Sequence, residues 1–274
     1  MELSLLGRKL GHSLSPQIHA SIFRHLGIEG SYGLTEVEPE NLEEAFPAFA
    51  EKFQGMNVTI PYKVAVMPFL NYISDEAKGI GAVNTILFSQ AGYQGFNTDY
   101  FGFGKMLEHT NIAVAKQDVV VLGNGGGAKA VLQQLIDSKA RHITVVVRNL
   151  EKGKTKLANM LKYSQITFVT YKEMSNVKGS LIVNCTPVGM YPNVEDAIVT
   201  AEQLAGFKAA VDLIYNPAET MFLKYAREAG CQTCNGLYML VAQAVAAEEI
   251  WLSRKLPKEL IEDITKEMQG VLHG

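Results

Sequence analysis

The sequence predicts an α/β fold of two α/β domains flanking a cleft, the second a doubly wound parallel sheet, and three observations carry this. Strand-like and helix-like stretches alternate along all 274 residues. From Val119 onward the strands become continuous apolar runs, as a parallel strand covered on both faces requires. The first of those runs, Val119-Val120-Val121-Leu122, ends in a glycine-rich loop that opens a helix.

Taken in order, Glu2–Leu6 reads as a first strand, and Ser15-Pro16 as a helix start, with Ser at the cap and Pro in the first turn. Tyr32–Val37 is a second strand, followed by a helix from Pro39 to Lys52. Gly55–Thr59 is a third strand, closed by Pro61. Ala82–Ser89 and Gly92–Phe96 form a hairpin about Gln90-Ala91. A helix from Asp99 leads to a polar join at Asn111–Gln117. Apolar runs then recur at Ile143–Val147, Ile166–Val169, Leu181–Val183 and Ala209–Ile214, most of them separated by segments long enough for crossover helices. After Gly236 the chain is helical, with Pro257 dividing two helices. The expected division is a first domain over 1–98, completed by 235–274, and a second over 99–234.

Composition narrows the function. A 47% hydrophobic and 19% charged chain builds a sizeable core. A net charge of −3 with no basic block gives no footing for nucleic acid or an anionic membrane. The N-terminus lacks the basic region and apolar stretch of a signal peptide. The greasiest segment, Gly236–Leu252, carries Gln243, Glu248 and Glu249, which marks a buried helix and not a membrane span. Three cysteines do not make a disulfide framework, and the expectation is a soluble, cytoplasmic protein. Cys231-Gln232-Thr233-Cys234 has no second pair and no nearby histidine, so it reads as part of a strand. The six histidines show no metal-ligand spacing, so no metal is expected; only His12 neighbours the candidate site.

Gly123-Asn124-Gly125-Gly126-Gly127-Ala128 fits G-x-G-x-x-A between the apolar strand and a helix over Lys129–Ser138. The first glycine permits the turn and the second lets backbone approach a pyrophosphate. Ala128 keeps the helix against the strand, and the helix N-terminus faces the anion. The second domain is therefore a Rossmann-type nucleotide-binding domain. The strand after it ends in Arg148-Asn149, a cation where NAD binders place an acid, which predicts NADP.

Four polar clusters precede this loop: Ser13-Leu14-Ser15-Pro16, Asn57 to Lys63, Gly81 to Thr85, and Asn97-Thr98-Asp99. Each alone reads as a turn or a cap. Together with Asn184-Cys185-Thr186-Pro187, Asp212 to Pro217 and Asn235 to Ala244, in this order, the chain resembles the shikimate dehydrogenase family from Gly11 to Trp251. The resemblance implies a reversible NADPH-dependent reduction of 3-dehydroshikimate to shikimate, in aromatic amino-acid biosynthesis. It implies that Ser13, Ser15 and Tyr215 bind the substrate carboxylate, and that Thr59, Lys63, Asn84, Asp99 and Gln243 hold the ring hydroxyls. It makes Lys63 the proton donor and acceptor and Asp99 its partner carboxylate. That carboxylate favours a charged lysine and desolvation opposes it, a balance the sequence leaves open. On the cofactor side it implies Asp75, Gly123, Asn124, Gly125, Gly126, Gly127, Arg148, Asn149, Leu213 and Gly236.

The chain departs from the family pattern at Arg148-Asn149-Leu150, where Asn-Arg-Thr is common, and at Asn124 and Gly127, where alanines are usual. Asp75 can equally be a helix-capping residue after Ser74. Two other readings are an NAD-preferring quinate/shikimate dehydrogenase, opposed by Arg148, and a ligand-sensing module without catalysis, opposed by the presence of both Lys63 and Asp99. The expected partners are the small-molecule substrate and the cofactor, with closure of the domains over them, and a homodimer is left open.

Overall fold

The computed structural model describes residues 1–11 and 13–273, with the backbone alone for His273; His12 lies outside the described residues. The chain divides into two compact units, Met1–Gly102 with Leu240–Gly274, and Phe103–Met239.

The first unit starts with β1 (Glu2–Gly7), α1 (Ser15–Leu26), β2 (Ser31–Glu36), α2 (Leu42–Lys52), β3 (Gly55–Val58) and the short α3 (Tyr62–Ala65). There follow β4 (Tyr72–Ile73), α4 (Asp75–Ile80), β5 (Thr85–Ser89), β6 (Gly92–Phe96) and α5 (Thr98–His109), whose second half belongs to the other unit. The sheet order is β2-β1-β3-β5-β6-β4, parallel across β2, β1 and β3 and antiparallel at β3–β5 and β5–β6. Successive side chains of a strand point to opposite faces. Leu6 accordingly joins Phe46, Met56, Tyr62 and Ile86 in one core, while Leu3 joins Phe23 and Trp251 in another. Helix α1 turns Ile18, His19, Ile22 and Phe23 inward, the spacing of one helical face.

The second unit continues with β7 (Asp118–Leu122), α6 (Gly126–Asp137), β8 (His142–Val147), α7 (Leu150–Lys156), β9 (Ile166–Thr170), β10 (Leu181–Asn184), α8 (Ala201–Leu204), β11 (Ala209–Asp212), α9 (Met221–Glu228) and β12 (Gln232–Cys234). Its strands are all parallel, ordered β12-β11-β10-β7-β8-β9. This is the doubly wound order, which reverses between β7 and β10. Val119 and Val121 face one core and Val120 and Leu122 the other, so the apolar run is continuous because both faces are covered. Last come α10 (Leu237–Trp251) and α11 (Glu259–His273), most of which return to the first unit.

Three expectations need correction. Ser15 is the first helical residue of α1 and not its cap; Leu14 takes the cap position without a side-chain bond. The hairpin strand begins at Thr85 instead of Ala82, because the preceding residues turn out of α4 through Gly81. The helix after the glycine loop begins at Gly126, three residues before Lys129, so two of the glycines form its first turn.

Candidate active site

The sheet register of the first unit gathers three of the polar clusters. Asn57 at the end of β3 pairs with Thr85 at the start of antiparallel β5, and Thr85 pairs with Phe96 at the end of β6. Asn57–Thr59, Asn84–Thr85 and Asn97–Asp99 therefore meet at one end of the sheet. Lys63 is added by α3, as its second residue after the cap at Pro61, and its carbonyl accepts the Val83 N–H at 2.7 Å.

There the Lys63 ammonium lies 2.5 Å from Asp99 Oδ2, with the two side chains 18% and 14% exposed. The other oxygen, Asp99 Oδ1, accepts Asn84 Nδ2–H at 2.9 Å. Asn84 is buried, and its Oδ1 accepts the Thr98 N–H at 2.7 Å and the Thr85 hydroxyl at 3.0 Å. Gln243, on α10, accepts the Thr98 hydroxyl at 3.3 Å and gives its own N–H to Leu240. Thr59 is half-buried beside the cluster, its N–H bonded to Leu6. A cation, a carboxylate and neutral amide groups thus converge at a half-buried spot, the mixture a polyhydroxylated ring needs.

Ser13 and Ser15 are half-buried at the entry to α1, where Ser13 Oγ accepts the Ser15 N–H at 3.2 Å. Leu10 of the preceding loop is fixed by Glu36, which accepts its N–H at 2.6 Å. Tyr215 belongs to the second unit, half-buried on the loop after β11, and burial raises its pKa.

In the second unit the loop after β7 has the form an anion needs. Gly123 holds φ +96°, where a side chain is strained and would also strike Thr186. Gly125 caps α6 with no side-chain bond, so the first N–H groups of the helix are claimed by no side chain. Arg148 is exposed just past β8, and Asn149 caps α7 by accepting the Lys152 N–H at 2.9 Å. Gly236 packs so tightly on Leu213 that a Cβ would lie 2.0 Å from the Leu213 carbonyl oxygen. Beneath these loops Asp212 is fully buried and accepts from Asn184, Ile214 and Thr220. Burial raises its pKa to about 6 against the pull of those bonds. Free backbone donors, a close glycine approach and an exposed cation after the second strand fit a dinucleotide with a 2′-phosphate. Asp75 is set apart: it stands fully exposed at the start of α4, 3.6 Å from Lys78.

Asn57, Thr85 and Thr98 also belong to the Lys63–Asp99 cluster; all three lie in the motifs singled out above, though none is among the expected site residues. Among the described residues no group of three or more His, Cys, Asp or Glu could hold a metal ion, and no helix is long and apolar enough to cross a membrane.

Comparison with known proteins decides the family. The profile of the shikimate dehydrogenase substrate binding domain matches residues 5–86, and that of shikimate / quinate 5-dehydrogenase matches residues 106–204. A shikimate dehydrogenase (NADP(+)) of Clostridium beijerinckii is 45% identical over 261 residues, 95% of each chain. The chain belongs to the shikimate dehydrogenase family. Among solved structures, a chorismate mutase/shikimate 5-dehydrogenase fusion protein from Clostridium acetobutylicum has a TM-score of 0.95 at 48% identity, over 100% of this chain and 98% of the other. Shikimate 5-dehydrogenase from Thermus thermophilus, in complex with NADP(H) and shikimate, has a TM-score of 0.86 at 31% identity, over 97% and 99% of the two chains. As a shikimate dehydrogenase the protein is an oxidoreductase that interconverts 3-dehydroshikimate and shikimate with NADP as cofactor, in aromatic amino-acid biosynthesis. Neither the NAD-preferring reading nor the sensor reading is favoured.

Proposed function

We propose that Lys63 and Asp99 are the proton-transfer pair of this shikimate dehydrogenase, working within a ring site made of Thr59, Asn84 and Gln243. The observation that carries the reading is the 2.5 Å contact of Lys63 with Asp99, whose second oxygen is occupied by Asn84. Bound NADPH supplies a hydride in one direction, and NADP⁺ accepts one in the other. As negative charge develops on the substrate O3, the Lys63 ammonium stabilises it and gives up a proton from Nζ; in reverse the neutral amine takes that proton back. Asp99 holds the ammonium on Oδ2 while Asn84 fixes the carboxylate plane through Oδ1, so the lysine is aimed before substrate arrives.

Ser13 and Ser15 donate to the substrate carboxylate from the start of α1, with Tyr215 as the third donor. The cofactor diphosphate is assigned to Gly123–Gly127, the 2′-phosphate to Arg148 and Asn149, and further cofactor contacts to Asp75, Leu213 and Gly236. Asn149 can serve there only through Nδ2, since its oxygen caps α7. In this reading residues 1–98 with 235–274 are the substrate domain and 99–234 the NADP domain. A cytoplasmic address and a homodimer belong to the same reading; sedimentation velocity decides the second.

The test is Lys63→Ala. It should lower kcat by roughly 10²–10⁴-fold, the range for loss of a general acid–base group, with a much smaller change in KM for shikimate. A folded Lys63→Ala protein with near-normal kcat would overturn the assignment.

A further inference from the structure

The first unit buries an ionisable pair outside the ring site. His19 Nδ1, on α1, lies 2.7 Å from Glu248 Oε1, on α10, and both side chains are fully buried. An ionised carboxylate only accepts, so the imidazole donates through Nδ1. The outer atoms, His19 Nε2 and Glu248 Oε2, have no hydrogen-bond partner among the described residues. Such a pair is a poor source of stability, because an incompletely bonded contact offsets little of the desolvation of both groups. Well-packed apolar side chains of like volume stabilise as much or more. What the pair supplies and they do not is register, since a single polar contact between two helices is made in only one alignment.

Ser15 starts α1, and His19 follows one turn later on the same face. On α10, Trp251 follows Glu248 by three residues, and its ring centroid lies 5.7 Å from that of His19. The Trp251 Nε1–H donates to the Ile86 carbonyl, in β5, at 2.9 Å. A Cβ on Gly55 would collide with that indole nitrogen, so the seat of Trp251 on β3 has room only over a glycine. Ile86 follows Thr85, whose hydroxyl donates to Asn84 Oδ1 at 3.0 Å, and Asn84 in turn donates to Asp99 at 2.9 Å. The second neighbour of the imidazole leads to the same cluster. His19 stacks on the Tyr32 ring, with centroids 3.8 Å apart and planes 6° apart, and the Tyr32 hydroxyl donates to Asn57 Oδ1 at 2.7 Å. Asn57 Nδ2–H then donates to Thr85 Oγ1 at 3.0 Å. Beside the pair, Phe23 of α1 packs with Ala247 and Trp251 of α10, apolar contacts that set no register by themselves.

We infer that His19 and Glu248 are a positioning pair: they set α1, which carries the carboxylate-binding serines, in one register against α10 and the start of β5, where the ring-binding cluster lies. The inference rests on the proposed assignment of Ser13 and Ser15 to the substrate carboxylate. In that register the two ends of the ring site keep a fixed separation before substrate arrives, and a rigid ring acid meets both at once. With apolar side chains in place of the pair, α1 takes more than one alignment, and binding has to select the competent one.

The experiment measures shikimate affinity by calorimetry without cofactor, NADP affinity, and the urea unfolding midpoint. The variants are Glu248→Gln, Glu248→Leu, and Glu248→Leu combined with His19→Leu. Glutamine keeps an acceptor for the His19 Nδ1–H and should leave shikimate affinity within about twofold. Glu248→Leu leaves that N–H buried and unpaired, so it should lower the midpoint and weaken shikimate about tenfold. Adding His19→Leu removes the unpaired group and should restore the midpoint without restoring the affinity. NADP affinity should stay within about twofold throughout, since its site is assigned to the other unit. Shikimate affinity that recovers with the midpoint, or that never falls while Ser15→Ala weakens shikimate, shows a pair that serves the fold alone. Either result overturns the inference and leaves the ring-site reading standing. So does a tenfold loss in Glu248→Gln, where the contact is kept, and so does failure of both leucine variants to fold or a parallel loss of shikimate and NADP. Unchanged shikimate affinity in Ser15→Ala removes the ring-site reading and the inference together.

Discussion

In the first unit the candidate site consists of side chains that already hold one another, whereas in the second it consists of backbone groups that no side chain holds. Lys63, Asp99, Asn84, Thr85 and Asn57 form a connected series with a partner at each step. The loop after β7 ends in an uncapped helix start and a glycine at φ +96°. The contrast follows from the ligands. A ring with several hydroxyls is distinguished by donors and acceptors placed in advance, and side chains that already bond one another lose little freedom on binding it. A diphosphate needs only several N–H groups and room to approach, which a helix start and glycines provide without any side chain.

Several substitutions break this contrast from one side at a time. The largest effect is expected at Gly236, where an added Cβ meets the Leu213 carbonyl at 2.0 Å and backbone has to move. Gly236→Ala should lose about 3 kcal/mol of stability and weaken NADP, as read by denaturant unfolding and calorimetry; an unchanged unfolding midpoint would mean that this close approach is not rigid.

Asp212 comes next. Its carboxyl pKa stands at about 6 against an ordinary 3.8, so between those values the folded protein binds more protons than the unfolded chain. The contribution of this residue is therefore greatest below about pH 4 and falls as the pH rises through 6, by at most about 3 kcal/mol. Asparagine does not titrate, so the stability difference between the unmodified protein and Asp212→Asn should decrease from pH 4.0 to 7.0, roughly following that window. Urea unfolding at several pH values measures it, and a difference independent of pH contradicts it.

A reciprocal pair gives a smaller but sharper result. Ser15→Ala should cost shikimate about 1.5 kcal/mol and leave NADP alone, while Arg148→Ala should cost NADP a similar amount, spare NAD, and leave shikimate alone. Equal losses for NADP and NAD in Arg148→Ala would remove the 2′-phosphate assignment.

The two regions also differed in how far they could be read from sequence. The second unit was legible because its signals are local: Val119–Leu122 is apolar without interruption as both its faces are covered, and the glycine loop follows directly. The first unit is assembled by register. Nothing near Asn57 in the chain says that Thr85 lies opposite it, and nothing near Tyr32 says that its phenol reaches Asn57. Family resemblance supplied Lys63, Asp99 and Asn84, but not the residues that hold them. Ser15 was misplaced by one position because Ser-Pro reads as cap and first turn, whereas here both residues lie inside the helix. Asn149 shows the converse: an assigned cofactor residue has half of its amide spent on capping α7.

The central claim is that Lys63 and Asp99 act as one unit, and kcat measured over Lys63→Ala, Asp99→Ala and the double variant tests it most directly. Asp99→Ala should lower both kcat and shikimate affinity, since in the proposed site that carboxylate serves the ring as well as the lysine. The double variant should lose less than the product of the two single losses, because removing the lysine already removes what the carboxylate aims. Losses in kcat that multiply would show that the 2.5 Å contact does not join the two residues in the chemical step.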